Sequence, residues 1–439
     1  MSFCKTVWNG VHILPGGDVR LCSINNDNSN ESGVGRDEHG VVINILTHDI
    51  HQMINTDKHI KVRKLNIEQP GAWHSMCKCC EKKEIATDAN ADDSAGLVSR
   101  RIYLDAVISD EVNSDNYTEL SSDGIVNWMP SSLDLRFGNL CNQACVQCGP
   151  FYSNKWIADS EAYNLVPGKG AAGWGPSTVA IVKNSNNKLV QTNKSEWWES
   201  DIWWTKFKIM MPGLSHIYLT GGEPMIVSGH DTLLDILIES GDAAHIKLEY
   251  DSNCTCINTK LLDKWTHFKS VEIRASMDAI GDKYELIRYG GHWETFKKNV
   301  ALIKELSVKT NGKVNLSTVT TCFQLSTSHS MIEAEQWCID NDYHFHMRFV
   351  DSPAIHSVDF LSMAAKQELI DLYSKYDTVA SNAIVAYLSK TKHKWDPMQA
   401  NQYIRFMDFL DVRRNTDWKA VLPDTYNFLK KHSVKFKEV

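Results

Sequence analysis

Residues 133–148 read LDLRFGNLCNQACVQC, a short strand-like run that ends in three closely spaced cysteines. The first five residues alternate apolar and polar side chains, which favours a β-strand. The loop that follows carries Cys141, Cys145 and Cys148 in the spacing C-x3-C-x2-C. Loops at the carboxyl ends of parallel strands form the functional face of a barrel. This stretch therefore predicts a strand whose C-terminal loop carries the chemistry of the protein.

Strand-like runs alternate with helical patterns along the rest of the central region. Such alternation implies right-handed βαβ units and a parallel sheet. Six units give an open or partial barrel rather than a closed eight-stranded one, so the expected fold class is α/β, with a partial (β/α)6 TIM-like barrel. The expected strands are 133–137, 216–220, 247–250, 270–276, 314–320 and 345–350, and the clearest helices are 231–240, 293–306 and 331–341.

The chain is expected to contain three domains. The barrel occupies 131–355, and its tryptophan-rich insertion at 151–210 predicts either helices packed on the barrel or a lid over the substrate. Residues 1–100 form a small cysteine-rich domain, in which 10–22 predicts a β-hairpin because two apolar runs flank a Pro-Gly-Gly-Asp turn. Residues 356–439 form a helical C-terminal extension without obvious chemistry.

The composition restricts location and partners. The 439 residues include 46 basic and 54 acidic ones, for a net charge of −8. A broad phosphate-binding surface needs clustered Lys and Arg, so a large nucleic acid is disfavoured as a partner, whereas a small nucleotide is not. The N-terminus has no apolar signal core, and no apolar run approaches the ~20 residues that span a bilayer. A cytoplasmic protein without a membrane partner is expected.

The twelve cysteines of the chain fall into uneven groups. In a reducing compartment, clustered cysteines more often bind metal than form disulfides. Thiolates of Cys141, Cys145 and Cys148 can hold three corners of a 4Fe-4S cluster and leave one iron open to a small chelating molecule. A zinc site or three buried thiols are the alternatives. Zinc typically takes four ligands, and no fourth Cys or His lies near this trio in sequence.

A second motif, LTGGEP at residues 219–224, follows the second expected strand. Glycines let the backbone approach a ligand closely, and a carboxylate can accept a hydrogen bond from an ammonium group. By itself the motif predicts only a turn. Placed one strand after the cysteine motif, it resembles the Gly-Gly-Glu-Pro signature of the radical S-adenosylmethionine (SAM) superfamily. The resemblance implies that Gly221, Gly222, Glu223 and Pro224 bind SAM, with Glu223 near its amino group.

Further residues resemble that superfamily in the expected order. Asn253 lies after the third strand, in an element resembling Thr-Asn-Gly, although Cys254 replaces the glycine. Ser276 and Asp278 resemble the Ser-x-Asp element of the fourth strand, which implies contacts with the SAM ribose or carboxylate. Arg288 resembles the arginine of the Ile-Arg-Gly element. A helix N-cap is the structural alternative for Ser276 and Asp278, and a surface ion pair is the alternative for Arg288.

One departure from the superfamily concerns the residue before the third cysteine. Members usually have an aromatic side chain there, near the adenine, and this chain has Gln147. The difference leaves cluster binding intact and alters the adenine contact. The resemblance covers 131–350.

Cysteines near the N-terminus indicate a second metal centre. Cys77 and Cys80 have the spacing C-x2-C, Cys79 lies between them, and Cys4 and Cys22 precede them. The pattern resembles the twitch domain, the shorter relative of the SPASM domain, here placed before the barrel rather than after it. The resemblance implies an auxiliary iron–sulfur cluster; zinc in a ribbon-like site and no metal remain open. Spacing does not decide between Cys79 and Cys80.

Together these motifs predict a radical SAM enzyme that cleaves SAM reductively at a 4Fe-4S cluster and abstracts hydrogen from a substrate. A one-electron reductant such as flavodoxin or ferredoxin is implied. No catalytic side chain is identified beyond the cluster and the SAM site. The substrate is unidentified: a peptide or protein is one candidate, and a nucleoside or other small metabolite is another. A non-catalytic iron–sulfur electron-transfer or scaffold protein is the alternative from a different class.

Overall fold

An eight-stranded sheet organises the chain, as seen in a computed structural model that describes residues 4–23, 33–78, 80, 81, 84, 121–163, 181–183, 189–191, 196–350, 353–390 and 395–434. A separate two-stranded ribbon lies within the insertion. The described strands are β1 (Gly10–Ile13), β2 (Val19–Arg20), β3 (Ser132–Arg136), β4 (Ile181–Lys183), β5 (Leu189–Gln191), β6 (His216–Thr220), β7 (Lys247–Ser252), β8 (Ser270–Ser276), β9 (Val314–Phe323) and β10 (Phe345–Phe349).

Helices connect the strands and cover the C-terminal part of the chain. The helices expected around 231–240, 293–306 and 331–341 are present. The described α-helices are α1 (Lys5–Asn9), α2 (Ile50–Ile54), α3 (Asp57–Glu68), α4 (Ile157–Ala162), α5 (Asp201–Met210), α6 (Ser228–Ser240), α7 (Thr259–Trp265), α8 (Gly281–Ile287), α9 (Trp293–Lys309), α10 (Met331–Asp340), α11 (Met363–Tyr373), α12 (Val379–Lys390), α13 (Gln399–Arg414), α14 (Trp418–Val421) and α15 (Pro423–Lys431).

The order of strands across the sheet is β10-β9-β8-β7-β6-β3-β1-β2. All pairs are parallel except the antiparallel pair β1–β2. The six strands expected from the sequence are therefore confirmed, and they lie side by side in chain order. Because they are parallel, their carboxyl ends and the loops after them meet at one edge of the sheet.

The outer face of the sheet forms the core with the helices. Leu135, Ile217, Leu248, Ile273 and Met347 lie on this face and are fully buried. Side chains alternate between the two faces of a strand, so the residues between them point to the inner face. Those residues are mostly polar or charged, which leaves one apolar face under the helices and one polar face opposite.

The N-terminal segment extends the sheet. β1 pairs with β3 in parallel, with Gly10 opposite Ser132, and β1 pairs with β2 as the expected hairpin. The first strands of the chain thus lie directly beside the strand that carries the cysteine loop. The division of the chain into 1–100, 131–355 and 356–439 stays a prediction.

Several tryptophans of the insertion pack beneath the cysteine loop. Trp156, Trp197 and Trp203 are buried, and the ring of Trp197 stacks on Phe137 at 5.1 Å between centroids. These rings favour packing over a lid for the described part of the insertion. Trp174 lies outside the described residues.

The C-terminal helices return to the same region. On α13, the guanidinium of Arg414 lies 4.6 Å from the ring centroid of Trp156, and its carbonyl accepts a hydrogen bond from the hydroxyl of Tyr289 at 3.4 Å. Among the described helices, none is both long and apolar enough to cross a membrane.

Candidate functional site

The loop after β3 is held by its own backbone and by two neighbouring segments. Gly138 begins the loop with a φ of 71°, a conformation that glycine adopts without strain. Two backbone N–H groups in the cysteine segment donate to the end of α8 and the residues after it: Val146 to the carbonyl of Ile287 at 2.7 Å and Ala144 to that of Tyr289 at 2.8 Å. These bonds fix the cysteine loop over the carboxyl edge of the sheet.

The three thiols of this loop lie close to one another. Cys141 and Cys145 are buried, and Cys148 is half-buried. A hydrogen bond between Cys145 and Cys148 lowers the pKa of Cys145 and raises that of Cys148. Burial, followed by the neighbouring Cys145, raises the pKa of Cys141 to about 12. A neighbouring thiol therefore shifts the pKa of each of the three cysteines. Such proximity is expected of ligands that bind one polynuclear centre.

Arg288 supplies positive charge beside these sulfurs. Its Nη1 lies 3.8 Å from the Sγ of Cys145, and its Nη2 lies 2.9 Å from the carboxylate of Asp278. Burial opposes its charge, but Asp278 and Cys145 raise the pKa of Arg288. The side chain is only 7% exposed, so the expected alternative of a surface ion pair does not describe it.

The glycine loop after β6 docks directly on the cysteine loop. The backbone N–H of Glu223 donates to the carbonyl of Leu140 at 2.8 Å. A Cβ at Gly222 would lie 2.1 Å from that same oxygen, and Gly221 has a φ of 123°. Only glycine fits at both positions, because one lacks space and the other needs a left-handed backbone. The Gly-Gly pair brings the two motifs into contact.

The carboxylate of Glu223 is buried and surrounded by donors. It accepts hydrogen bonds from the hydroxyl of Ser252 at 2.8 Å, the backbone N–H of Asn253 at 2.8 Å and that of Met225 at 3.3 Å. Burial raises the pKa of Glu223 to about 7, although these donors and Arg288 act in the opposite direction. Such a carboxylate is poised to pair with a cation that enters the site.

The element after β7 keeps its shape although a cysteine replaces glycine. Cys254 has a φ of 55°, the left-handed conformation that a glycine would adopt. Its neighbour Asn253 donates from its amide to Asn142 of the cysteine loop at 2.8 Å. Asn142 in turn donates to Thr255 at 2.7 Å. A third loop of the carboxyl edge is thereby tied to the cysteines.

Asp278, after β8, is fully buried and does not cap a helix. Its carboxylate accepts from the backbone N–H of Cys322 at 2.9 Å and from the amide of Gln147. The residue before α8 is Ile280, and no side chain caps that helix. The N-cap alternative therefore fails for Asp278. Ser276 ends β8 and is partly exposed on the inner face.

A chain of amides extends from Gln147. The side-chain amide of Gln324 donates to the side-chain oxygen of Gln147 at 3.2 Å. The side-chain amide of Gln147 in turn donates to the carboxylate of Asp278. Sequence reasoning identified Gln147 only as a departure and missed Gln324 and Cys322. For Cys322 the sequence signal is its place in the alternation of β9, on the inner face. For Gln324 the local sequence carries no signal.

The structure also gathers the N-terminal cysteines. Burial raises the pKa of Cys77, and the thiols of Cys22, Cys4 and Cys80 raise it further. Cys4, Cys22 and Cys80 thus each lie close enough to Cys77 to affect its thiol, although the four come from three separate segments. Cys79 lies outside the described residues.

Within the described residues, no group of three or more His, Cys, Asp or Glu side chains has the arrangement of a site for a metal ion. In a 4Fe-4S cluster each thiolate binds its own iron atom. The donor set fits such a group at the central loop, where three thiols lie close enough to shift one another's pKa, beside the buried Arg288.

Comparisons with family models and with curated proteins gave no match. Similar solved structures include native anSMEcpe with bound AdoMet and Kp18Cys peptide, with a TM-score of 0.32, 14% identity and coverage of 64% of this chain and 62% of that chain. Streptococcus suis SuiB bound to its precursor peptide SuiA has a TM-score of 0.32 and 14% identity, with coverage of 87% and 71%. SuiB bound to S-adenosylmethionine has a TM-score of 0.31 and 13% identity, with coverage of 85% and 67%. The chain thus spans less than two thirds of the length of the first of these structures.

Proposed function

We propose that this chain is a radical SAM enzyme. The observation that carries the proposal is the docking of two loops, since Glu223 donates its backbone N–H to Leu140, the residue before Cys141. A SAM molecule held by the glycine loop would therefore lie against the cysteine loop. The motif spacing and the folded contact support the same assignment independently.

Different residues would bind the cluster and SAM. Cys141, Cys145 and Cys148 would hold a 4Fe-4S cluster through three thiolates and leave one iron for SAM. Such a cluster would supply the electron for reductive cleavage of SAM to methionine and a 5′-deoxyadenosyl radical, and that radical would abstract hydrogen from the substrate. Glu223 would accept hydrogen bonds from the ammonium group of SAM, since its carboxylate is buried at the docked loop.

Two further elements would orient the rest of SAM. Asn253 follows β7 and Asp278 follows the neighbouring β8 at the same edge, and Ser276 ends β8 on the inner face. The Asp278–Arg288 ion pair links this edge to Cys145. Burial of these groups excludes water, which protects a reactive intermediate from side reactions.

The N-terminal thiols support a second, auxiliary iron–sulfur centre held by Cys4, Cys22, Cys77 and Cys80 in a twitch-like or SPASM-like domain, with zinc as the alternative. Electrons would come from a small carrier such as flavodoxin or ferredoxin. The sheet would curl into a partial (β/α)6 barrel, and the protein would work in the cytoplasm, where thiols stay reduced.

A peptide or protein is the proposed substrate class, because the cysteine pattern resembles twitch and SPASM domains. A nucleoside or another small metabolite is the alternative substrate. A non-catalytic electron carrier would need no SAM site, and the buried Glu223 beside the cysteines therefore disfavours it.

The test is anaerobic reconstitution with iron and sulfide, addition of SAM and dithionite, and assay for 5′-deoxyadenosine. Replacing Cys141, Cys145 and Cys148 by alanine should remove about four irons per chain and abolish cleavage. Cys338→Ala is a matched control, since this buried cysteine lies on α10 and should leave both quantities unchanged. Cleavage retained by the triple variant would refute the proposal.

A further inference from the structure

The inner face of the sheet is polar and lies next to the candidate SAM site; it is called the recess below. Its walls come from alternate residues of β3 and β6 to β10. Several of them are partly exposed although they lie on central strands, so solvent reaches this face. The polar residues on it include Asp134, Arg136, Tyr218, Glu249, Asp251, Arg274, Thr318, Thr320, Cys322, His346 and Arg348.

The acidic groups in the middle of this recess already have partners. Glu249 accepts from the Nε2 of His216 at 2.8 Å and pairs with Arg274. Asp251 pairs with the same Arg274 and accepts from the hydroxyl of Tyr218. One buried arginine is thus shared by two carboxylates.

Arg348 is different. It is exposed, and among the residues that the structure describes it has no hydrogen-bond or ion-pair partner for its guanidinium. The charge of Arg348 still acts on the recess. Burial alone would raise the pKa of Asp251, but the positive charges of Arg274 and Arg348 lower it to about 2. Burial, with the charges of Arg348 and Arg274, lowers the pKa of His346 to about 3, so His346 is neutral at pH 7.

The position of Arg348 connects it to the reacting centre. In the β9–β10 ladder it pairs with Cys322, and the backbone N–H of Cys322 donates to Asp278 at 2.9 Å. Asp278 is a proposed SAM contact and touches Arg288 beside the cysteines. A solvent-exposed arginine is ordinary, but Arg348 lies only one strand away from the strand whose Cys322 contacts Asp278.

We infer that Arg348 binds a carboxylate of the substrate, so that the substrate class is an acidic peptide. The inference rests on the proposed function and deepens it. The planar guanidinium presents two parallel donors that match a carboxylate, and the carboxylates of Glu249 and Asp251 are already paired with Arg274. A substrate anchored there would extend from β10 toward Asp278, where SAM would be held.

The test is affinity selection of random peptide libraries on the reconstituted protein. One library has free C-terminal carboxylates, and a second has C-terminal amides. Wild-type protein should enrich peptides with Asp or Glu from both libraries, or only free C-termini if that carboxylate is the one recognised. Arg348→Gln should reduce the enrichment about tenfold or more, and Arg348→Glu should shift it toward Lys and Arg. Arg405→Gln, at an exposed position of α13, is the matched control and should select like the wild type.

Arg348→Glu separates loss of the carboxylate site from misfolding. An unfolded variant would select no specific peptides, whereas a folded variant with the reversed charge should select basic ones. The inference would be overturned if the wild type enriched neither acidic side chains nor free C-terminal carboxylates, or if the enrichment persisted in Arg348→Gln. SAM cleavage by the wild-type protein is measured in the same preparation. If it cleaves SAM but selects peptides independently of Arg348, only the substrate assignment fails. If it does not cleave SAM, the proposed function itself fails.

Discussion

Substitution of Gly222 by alanine tests the contact between the two loops of the site. The added Cβ would lie 2.1 Å from the carbonyl oxygen of Leu140 and 2.8 Å from the carbonyl carbon of Asn139. To restore an ordinary contact of 3.4 Å, the loops must separate by about 1.3 Å. The 2.8 Å hydrogen bond from Glu223 to Leu140 would then stretch beyond hydrogen-bonding distance.

The expected cost has two parts. Overpacking in a well-packed region costs about 1–3 kcal/mol, and loss of one backbone hydrogen bond costs about 1 kcal/mol. The free energy of unfolding should therefore fall by about 2–4 kcal/mol. Because the glycine loop would move away from the cysteines, the affinity for SAM should fall as well.

The assay is urea denaturation of anaerobically purified protein, followed by SAM titration. Gly213→Ala is the matched control, since a Cβ there meets nothing closer than 3.7 Å and its backbone is not left-handed. It should stay within about 0.5 kcal/mol of the wild type. Equal denaturation midpoints for Gly222→Ala and the wild type would refute the docking of the two loops.

Three other outcomes are expected. Glu223→Ala should weaken SAM binding at least about tenfold while cluster iron is retained; unchanged affinity in a titration would make this loop only a turn. Joint replacement of Cys77 and Cys80 by alanine should remove iron in excess of one cubane and spare SAM cleavage; stoichiometric zinc that resists reconstitution with iron would instead indicate a ribbon. Burial lowers the pKa of His356 to about 3, so the native state binds fewer protons than the unfolded state and stability falls on acidification below pH 6.5. His356→Phe should remove about 2 kcal/mol of that loss between pH 6.5 and 5; equal pH slopes of variant and wild type by denaturation would contradict it.

Local patterns were sufficient for much of the fold. Each central strand shows its alternation within five to ten residues, and the helices between them show their own period. The cysteine and glycine motifs are also local, and their place after two successive strands puts them at one edge of a parallel sheet. The sequence identifies Gly222 as part of a motif. The reason why only glycine fits there, its close contact with the carbonyl of Leu140, is seen only in the structure.

Other features depend on contacts between distant segments. Pairing of β1 with β3 joins residues more than a hundred positions apart, and no period in either strand specifies that partner. Asp278 was as consistent with a helix cap as with a ligand until folding placed Arg288 and Cys322 around it.

The sequence by itself determined the positions of the six central strands, the two motifs and the kind of chemistry that they favour, because these follow from residue type and short spacing. Only the tertiary structure decided that Arg348, which lies beside Cys322, has no ion-pair partner within the described part of the chain, while Arg274 is shared by two carboxylates. Both are arginines on strands, and nothing in their neighbours distinguishes them. The difference arises because pairing of charges depends on distances across strands, which the linear order does not contain.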